Sequence, residues 1–279
     1  MNIAQHIFRK LASMAAAFAM LAGSGAYAQG DLLVAPTRVE IDGRGSAQVI
    51  LSNIGTEEAT YRVSLELRRM NAGGTLDEVA PEDASPAEEA AMEMVRFSPR
   101  RVVLPPGQPQ TVRVSARPDP ALPDGEYRAH MMFQALPRVQ AVTEADAAAA
   151  AGDIAIRLVP VYGITIPVII RKGQLQAVAA LSNPRVVTEE GVPVLRMEMT
   201  RTGDRSTFGE IRVIKPGLPD PVLIARGIAI YTEIGTRHLA LPLTPEQAAE
   251  MRSGNLRFEY RELPEKGGAL LASVGGPPG

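Results

Sequence analysis

The sequence predicts an all-β protein built as two tandem immunoglobulin-like β-sandwiches. Two observations carry this. Short segments of alternating apolar and polar residues recur along the chain, and clusters of Gly, Pro, Asn and Asp separate them at close spacing. A third observation is the run 154–171. Its even positions, Ile154, Ile156, Leu158, Pro160, Tyr162, Ile164, Ile166, Val168 and Ile170, are all apolar or aromatic. Side chains alternate across a strand, so this set lines one continuous face. Pro160 and Pro167 cannot donate to a ladder, which predicts a long edge strand. Such an edge is an aggregation hazard, so either this protein covers it or it pairs with another chain.

Residues 1–28 read as a secretory signal. Arg9 and Lys10 are basic, 11–23 is apolar but too short to span a bilayer, and Ala26-Tyr27-Ala28 is a small-x-small cleavage site. The mature chain is therefore expected outside the cytoplasm, with no membrane insertion. Removing the signal takes two basic residues and no acid, leaving 27 Lys and Arg against 31 Asp and Glu, or a net charge of −4. That balance excludes nucleic-acid binding through bulk charge. There is no Cys, so packing rather than disulfides must hold the domains. Two His remain, His130 and His238, which with no Cys makes a transition-metal site an unpromising reading; no metal and no cofactor is expected.

In chain order, 32–41 reads as a strand broken by Pro36, 47–51 and 60–67 alternate, and Asn53-Ile54-Gly55 turns between them. The segment 71–93 carries Gly73, Gly74, Pro81, Pro86 and seven acids, and reads as a solvated loop with a helical turn near 87–92. Its acids lack the spacing of a calcium loop. Strands return at 95–97, 101–104, 111–116 and 126–136, with Pro105-Pro106-Gly107 as a turn. The Ala-rich segment 138–153 reads as a loop. Lys172-Gly173 reads as a junction. The expected division is 29–172 for the N-terminal domain, with its edge strand at 154–171, then 173–274 for the second domain and 275–279 for a frayed tail. Strands are expected there at 175–181, 193–201, 208–214, 222–231, 237–243, 255–261 and 269–274, with a short helix at 245–251.

Several segments together resemble one family. They are Leu33-Val34-Ala35-Pro36-Thr37-Arg38-Val39, Ile50-Leu51-Ser52-Asn53, Leu104-Pro105-Pro106-Gly107-Gln108-Pro109-Gln110-Thr111-Val112-Arg113-Val114, Leu122-Pro123-Asp124-Gly125-Glu126-Tyr127-Arg128 and Ala135-Leu136-Pro137. Their order and spacing resemble the PapD-like periplasmic chaperones of chaperone–usher pili, in a divergent form. The resemblance implies two Ig-like domains meeting at an angle. It also implies that a strand of the first domain is lent to a fibre subunit lacking its own, which is then delivered to an outer-membrane usher. On this reading Ile154, Ile156, Leu158 and Tyr162 enter the subunit's groove, while 164–170 pack at home. The partners implied are pilus or fibre subunits and the usher, with self-association of the free protein through the same strand as a further expectation.

The same resemblance implies that basic residues in the interdomain cleft hold the subunit's C-terminal carboxylate. Arg38 matches the first of them, and Arg fits a carboxylate with a two-pronged geometry. The second falls on Pro167, which cannot serve; Arg128 or Arg171 are the substitutes. An ordinary ion pair is the competing role for Arg38, and a structural one for Arg128. His130 reads as a packed, hydrogen-bonded side chain. No nucleophile elbow, phosphate loop or zinc-protease pattern is present, so no enzyme is expected. The alternative function is a secreted two-domain structural or adhesive module without a folding client.

Overall fold

The computed structural model describes residues 32–137, 161–252 and 254–276. The expected signal segment 1–28 and the donor positions Ile154, Ile156 and Leu158 lie outside the described residues. Within them the chain is all-β with two short α-helices.

The N-terminal half opens with β1 (Leu32–Ala35) and β2 (Val39–Asp42), separated at Pro36. Then come β3 (Gly45–Asn53), β4 (Ala59–Glu66), β5 (Arg68–Met70), β6 (Leu76–Glu78) and α1 (Pro86–Met94). β7 (Val95–Ser98), β8 (Arg101–Leu104), β9 (Pro109–Ala116), β10 (Gly125–Leu136) and β11 (Gly163–Lys172) complete it. A four-stranded sheet, β1-β3-β9-β7, faces a five-stranded one, β2-β11-β10-β4-β8. Alternation explains the core between them: Val49 and Leu51 on β3, Val112 and Val114 on β9, Met131 and Phe133 on β10, and Ile166, Val168 and Ile170 on β11 are all buried. Asn53 fixes the turn after β3. Its amide donates to the carbonyls of Glu57 and Leu104 and its Oδ1 accepts from Gly55 N–H.

The C-terminal half contains β12 (Ala177–Glu189), β13 (Val192–Gly203), β14 (Thr207–Ile214), β15 (Leu223–Ile230), β16 (Thr236–Pro242), α2 (Pro245–Met251), β17 (Leu256–Arg261) and β18 (Leu270–Gly276). Sheets β12-β13-β16 and β15-β14-β17-β18 enclose a second core containing Leu195, Met199, Ile211, Val213, Phe258 and Tyr260. The outer face of the latter sheet buries two acids, each clasped by two arginines: Glu210 by Arg212 and Arg226, and Glu259 by Arg257 and Arg261.

Two readings of the sequence change here. The segment 71–93 is more ordered than a solvated loop. Its first part closes the β5–β6 hairpin, and its end forms α1, whose N-cap Ser85 and N3 Glu88 make a reciprocal capping box. The bidentate ion pair from Arg69 to Glu88 ties the hairpin to the helix. β11 is also not an edge along its whole length. Val168, Ile169, Ile170 and Arg171 pair in parallel with Val39, Glu40, Ile41 and Asp42 of β2 while pairing on their other side with β10.

A third apolar cluster joins the two halves. Met70 of β5, Ile169 of β11, Ala229 of β15 and Tyr231 are buried together, with Leu76, Phe208 and Ile234 packed around them. Ile169 points away from the N-terminal core because it is an odd position of β11, on the opposite face from Val168 and Ile170.

Candidate functional site

Two features of this junction bear on function: an unpaired strand edge and a cluster of arginines.

Arg171 O accepts from Gly43 N–H on the β2 side, whereas Tyr162 O accepts from Ala135 N–H on the β10 side. Successive residues of a strand direct their backbone groups to opposite sides, so the odd residues of β11 present theirs away from β10. β2 satisfies those groups only from Val168 onward. Among the described residues, positions 163–167 therefore have no strand partner on that side. The free groups belong to Gly163 and Thr165, because the parallel pairing of Val168 with Val39 already uses the carbonyl of Pro167. The missing N–H of Pro167 faces this lane, which is why a proline is tolerated between two ladders. Tyr162 is 59% exposed and Ile164 37%, while Ile166, Val168 and Ile170 are buried at home. Among the described residues, the edge expected over 154–171 is an edge at 163–167 and an interior strand beyond, while 154–160 lie outside them.

The lane is continuous with β2. A chain laid along 163–167 in the direction of β2 runs head-on into Arg38, the residue before Val39. The turn at Pro36 and Thr37 carries the chain out of the lane at that point.

The structure brings Arg38, Arg128 and Arg171 together at the junction. Arg38 is nearly buried. It donates through Nε to Glu40 at 2.8 Å, and through its two terminal nitrogens to Tyr231 Oη at 3.3 Å and Ser206 Oγ at 3.2 Å. Its guanidinium lies 4.5 Å from the ring centre of Phe208 and 5.6 Å from that of Tyr231. Arg128 forms a two-pronged ion pair with Glu233, donates to the carbonyl of Arg68 at 3.0 Å and stacks 3.8 Å over Tyr231. Arg171 reaches Glu126 at 3.1 Å and Glu40 at 3.3 Å. Each arginine therefore has an acid of this chain beside it. Burial alone would raise the Glu40 carboxyl; the Arg38 hydrogen bond and the charges of Arg38, Arg171 and Lys266 overcome this and hold it at about 2.

His130 departs from expectation. It is buried, as read from the sequence, but neither ring nitrogen has a hydrogen-bond partner. It lies on the outer face of β10, between Glu66 of β4 and Pro167 of β11. Burial, then the charges of Arg128, Arg68 and Arg38, push it down to about 3, so the ring is neutral.

Three residues of the junction were missed in the sequence: Glu40, Glu126 and Glu233. The signal available for Glu40 and Glu126 was their placement at alternating positions beside Arg38 and Arg128. Glu233 lies in a turn of the other half, and nothing local marks it. Among the described residues no group of His, Asp or Glu is arranged to hold a metal ion, and no helix is long and apolar enough to cross a membrane.

No family model and no curated protein matches the sequence. Solved structures similar to it include the complex of chaperone and tip adhesion subunit CsuC–CsuE from Csu pili of Acinetobacter baumannii. That match has 12% identity, covers 88% of this chain and 97% of the other, and has a TM-score of 0.46. The CupB2 chaperone of Pseudomonas aeruginosa matches at 12% identity over 88% and 100% of the two chains, TM-score 0.42. The chaperone DraB of E. coli matches at 10% over 88% and 98%, TM-score 0.41. All three scores fall below 0.5, and the functional reading rests on the geometry of this chain.

Proposed function

We propose that this protein is a periplasmic chaperone of fibre assembly, made of two Ig-like domains. It binds a nascent subunit by strand donation, holds the subunit's C-terminal carboxylate at Arg38, and delivers it to an outer-membrane usher. The observation that carries this is the open lane beside 163–167, which ends at a buried arginine. An incomplete sandwich exposes an apolar groove and an unpaired backbone edge. A donated strand satisfies both, with each apolar side chain that enters the groove contributing about 1.5–3 kcal/mol. The even positions supply those side chains: Tyr162 and, further along, Ile154, Ile156 and Leu158. Arg38 supplies a largely buried charge stacked on Phe208 and Tyr231, for which the arriving carboxylate competes with Glu40. Arg128 and Arg171 flank it. No nucleotide or metal is needed, since completion of the subunit fold provides the driving force.

Co-expression with a subunit encoded nearby, followed by purification on a tag of this chain, tests the proposal. The subunit co-purifies with the natural sequence and is lost with the double substitution Ile156→Asp and Leu158→Asp. Undiminished capture by a folded double variant overturns strand donation.

A further inference from the structure

The outer face of the sheet β15-β14-β17-β18 sorts its charges by depth. These four strands carry four arginines, two glutamates and no other charged side chain. The register gathers them into one patch. Arg226, Glu210 and Arg261 stand side by side across β15, β14 and β17, with Leu270 of β18 next to Arg261; the following row is Ile224, Arg212, Glu259 and Ser273. Arg257 lies two residues from Glu259 on β17. Both glutamates are sealed beneath the guanidiniums, while the side chains of Arg226 and Arg257 are 67% and 55% exposed. Solvent therefore meets arginine here and no carboxylate of these strands. The patch has two net positive charges on a chain that is acidic overall.

Two further properties say what such a face fits. First, the arginines are fixed in advance. Nε of Arg212 and Nε of Arg226 donate to Glu210, and Nε of Arg261 donates to Glu259, so little rotamer freedom is left to lose on binding. The terminal nitrogens of Arg226 have no hydrogen bond among the described residues, and a guanidinium with free N–H groups matches the oxygens of a phosphate. Second, aliphatic side chains stand in the same rows. Ile224, opposite Arg212, is 43% exposed, and Leu270, opposite Arg261, is 45% exposed. An acidic protein surface would be matched by the arginines alone. A bilayer interface takes both, with phosphates at the guanidiniums and the margin of the acyl chains at the aliphatic groups. The patch is three strand spacings wide and runs from Arg257 to Arg261, roughly 14 Å each way, which exceeds one small anion.

We propose that this face is a peripheral docking surface for a bilayer containing anionic phospholipids, with the guanidiniums on headgroup phosphates and Ile224 and Leu270 at the boundary of the acyl chains. The chain lies on such a bilayer and does not span it. Each net charge near an anionic surface contributes about a factor of five, so two give about 25-fold. That attraction is screened as salt is added. The proposal depends neither on strand donation nor on Arg38.

Cosedimentation of the full mature chain with sucrose-loaded vesicles tests it, comparing phosphatidylcholine alone with an equal mixture of phosphatidylcholine and phosphatidylglycerol at low salt. The natural chain prefers the mixed vesicles by about 25-fold, and the preference shrinks as salt is added. Arg226→Gln with Arg257→Gln cancels the net charge of the patch and abolishes the preference. Each glutamate keeps one arginine in that pair, and thermal melting reports the fold. Arg226→Gln alone loses about fivefold and carries the test where the pair melts early. Arg226→Lys with Arg257→Lys keeps the charges and most of the preference. Ile224→Ser with Leu270→Ser weakens binding to mixed vesicles several-fold without changing its salt dependence. No preference in the natural chain, a full preference in a folded glutamine variant, or equal losses in the glutamine and lysine pairs overturns the proposal. Vesicle binding untouched by the serine pair, together with soluble polyglutamate bound as tightly as mixed vesicles, gives the face to an acidic protein and overturns the bilayer assignment.

Discussion

Ser206 binds Glu126 twice: its backbone N–H and its hydroxyl both donate to Glu126 Oε2, at 3.1 and 2.9 Å. Glu126 belongs to β10 and Ser206 to the segment before β14, so one buried carboxylate oxygen links the two halves of the chain. Arg171 donates to the same oxygen from β11. Glu126→Ala removes all three partnerships and leaves the Arg171 charge less well compensated. Breaking a buried pair in this way costs about 3–5 kcal/mol. Urea unfolding is expected to show that loss, and small-angle scattering to show a wider spread of relative orientations of the two halves. Unchanged values in both would remove Glu126 as the link.

Glu40 makes acid stability a measurable property of the junction. Its folded carboxyl sits at about 2, below the 4.5 of an unperturbed group. A depressed carboxyl contributes stability that is complete above the unfolded value and disappears as pH falls through the folded one. The contribution should therefore fade between about pH 4.5 and pH 2. Glu40→Gln should flatten the melting temperature over that window relative to the natural chain.

His130 acts in the same direction over a different range. Its folded value of about 3 lies below the unfolded 6.5, so the fold favours the neutral ring. Stability linked to it is complete above about pH 6.5 and declines toward pH 3. Glu66, Arg68, Arg128 and Arg38 surround this position and stay in place in His130→Phe. That variant should lose less stability than the natural chain between pH 7 and pH 4, measured by thermal melting in parallel.

Gly74 is required by a close approach. It has φ +88, and a Cβ there would overlap the guanidinium of Arg237 on β16. Arg237 cannot swing away freely, because it is half-buried and donates to the carbonyl of Ala229 at 2.6 Å. The hairpin is also held by His238 N–H donating to Ala72 O at 2.7 Å and by Met70 N–H donating to Glu233 at 2.7 Å. Gly74→Ala should cost roughly 1–3 kcal/mol from the backbone conformation and the displaced arginine. Hydrogen exchange should quicken at His238 N–H. Protection equal to that of the natural chain would show that the hairpin does not clamp β16.

Much of the strand plan was legible because period-two alternation is local. The break at Pro36, the pair 193–201 and 208–214, and the helix at 245–251 all follow from neighbouring residues. What escaped depends on distant ones. β12 continues to Glu189 past an irregularity between Ser182 and Arg185, which the alternation does not announce. The β5–β6 hairpin has only Met70 and Leu76 as apolar hooks, and their burial comes from Tyr231 and Ala229, over 150 residues away. The helical turn read near 87–92 is a helix over Pro86–Met94; what was not read is its capping box, Ser85-Pro86-Ala87-Glu88, within a stretch whose acids and prolines suggested solvent. For the site, Arg38, Arg128 and Arg171 were named from the sequence and do meet. Their acidic partners and the unserved ring of His130 could not be read, because pairing across strands is fixed by register rather than by spacing along the chain.

The parallel strand β2 blocks the lane at a fixed point. Main-chain pairing is indifferent to which side chains a visitor carries, and a dead end is indifferent to everything except where the visitor stops. On the proposed function, together they would measure where a bound strand ends in place of its composition. A single binder of this design would accept a set of cargoes with unrelated sequences, provided each ends at the same distance beyond its paired segment.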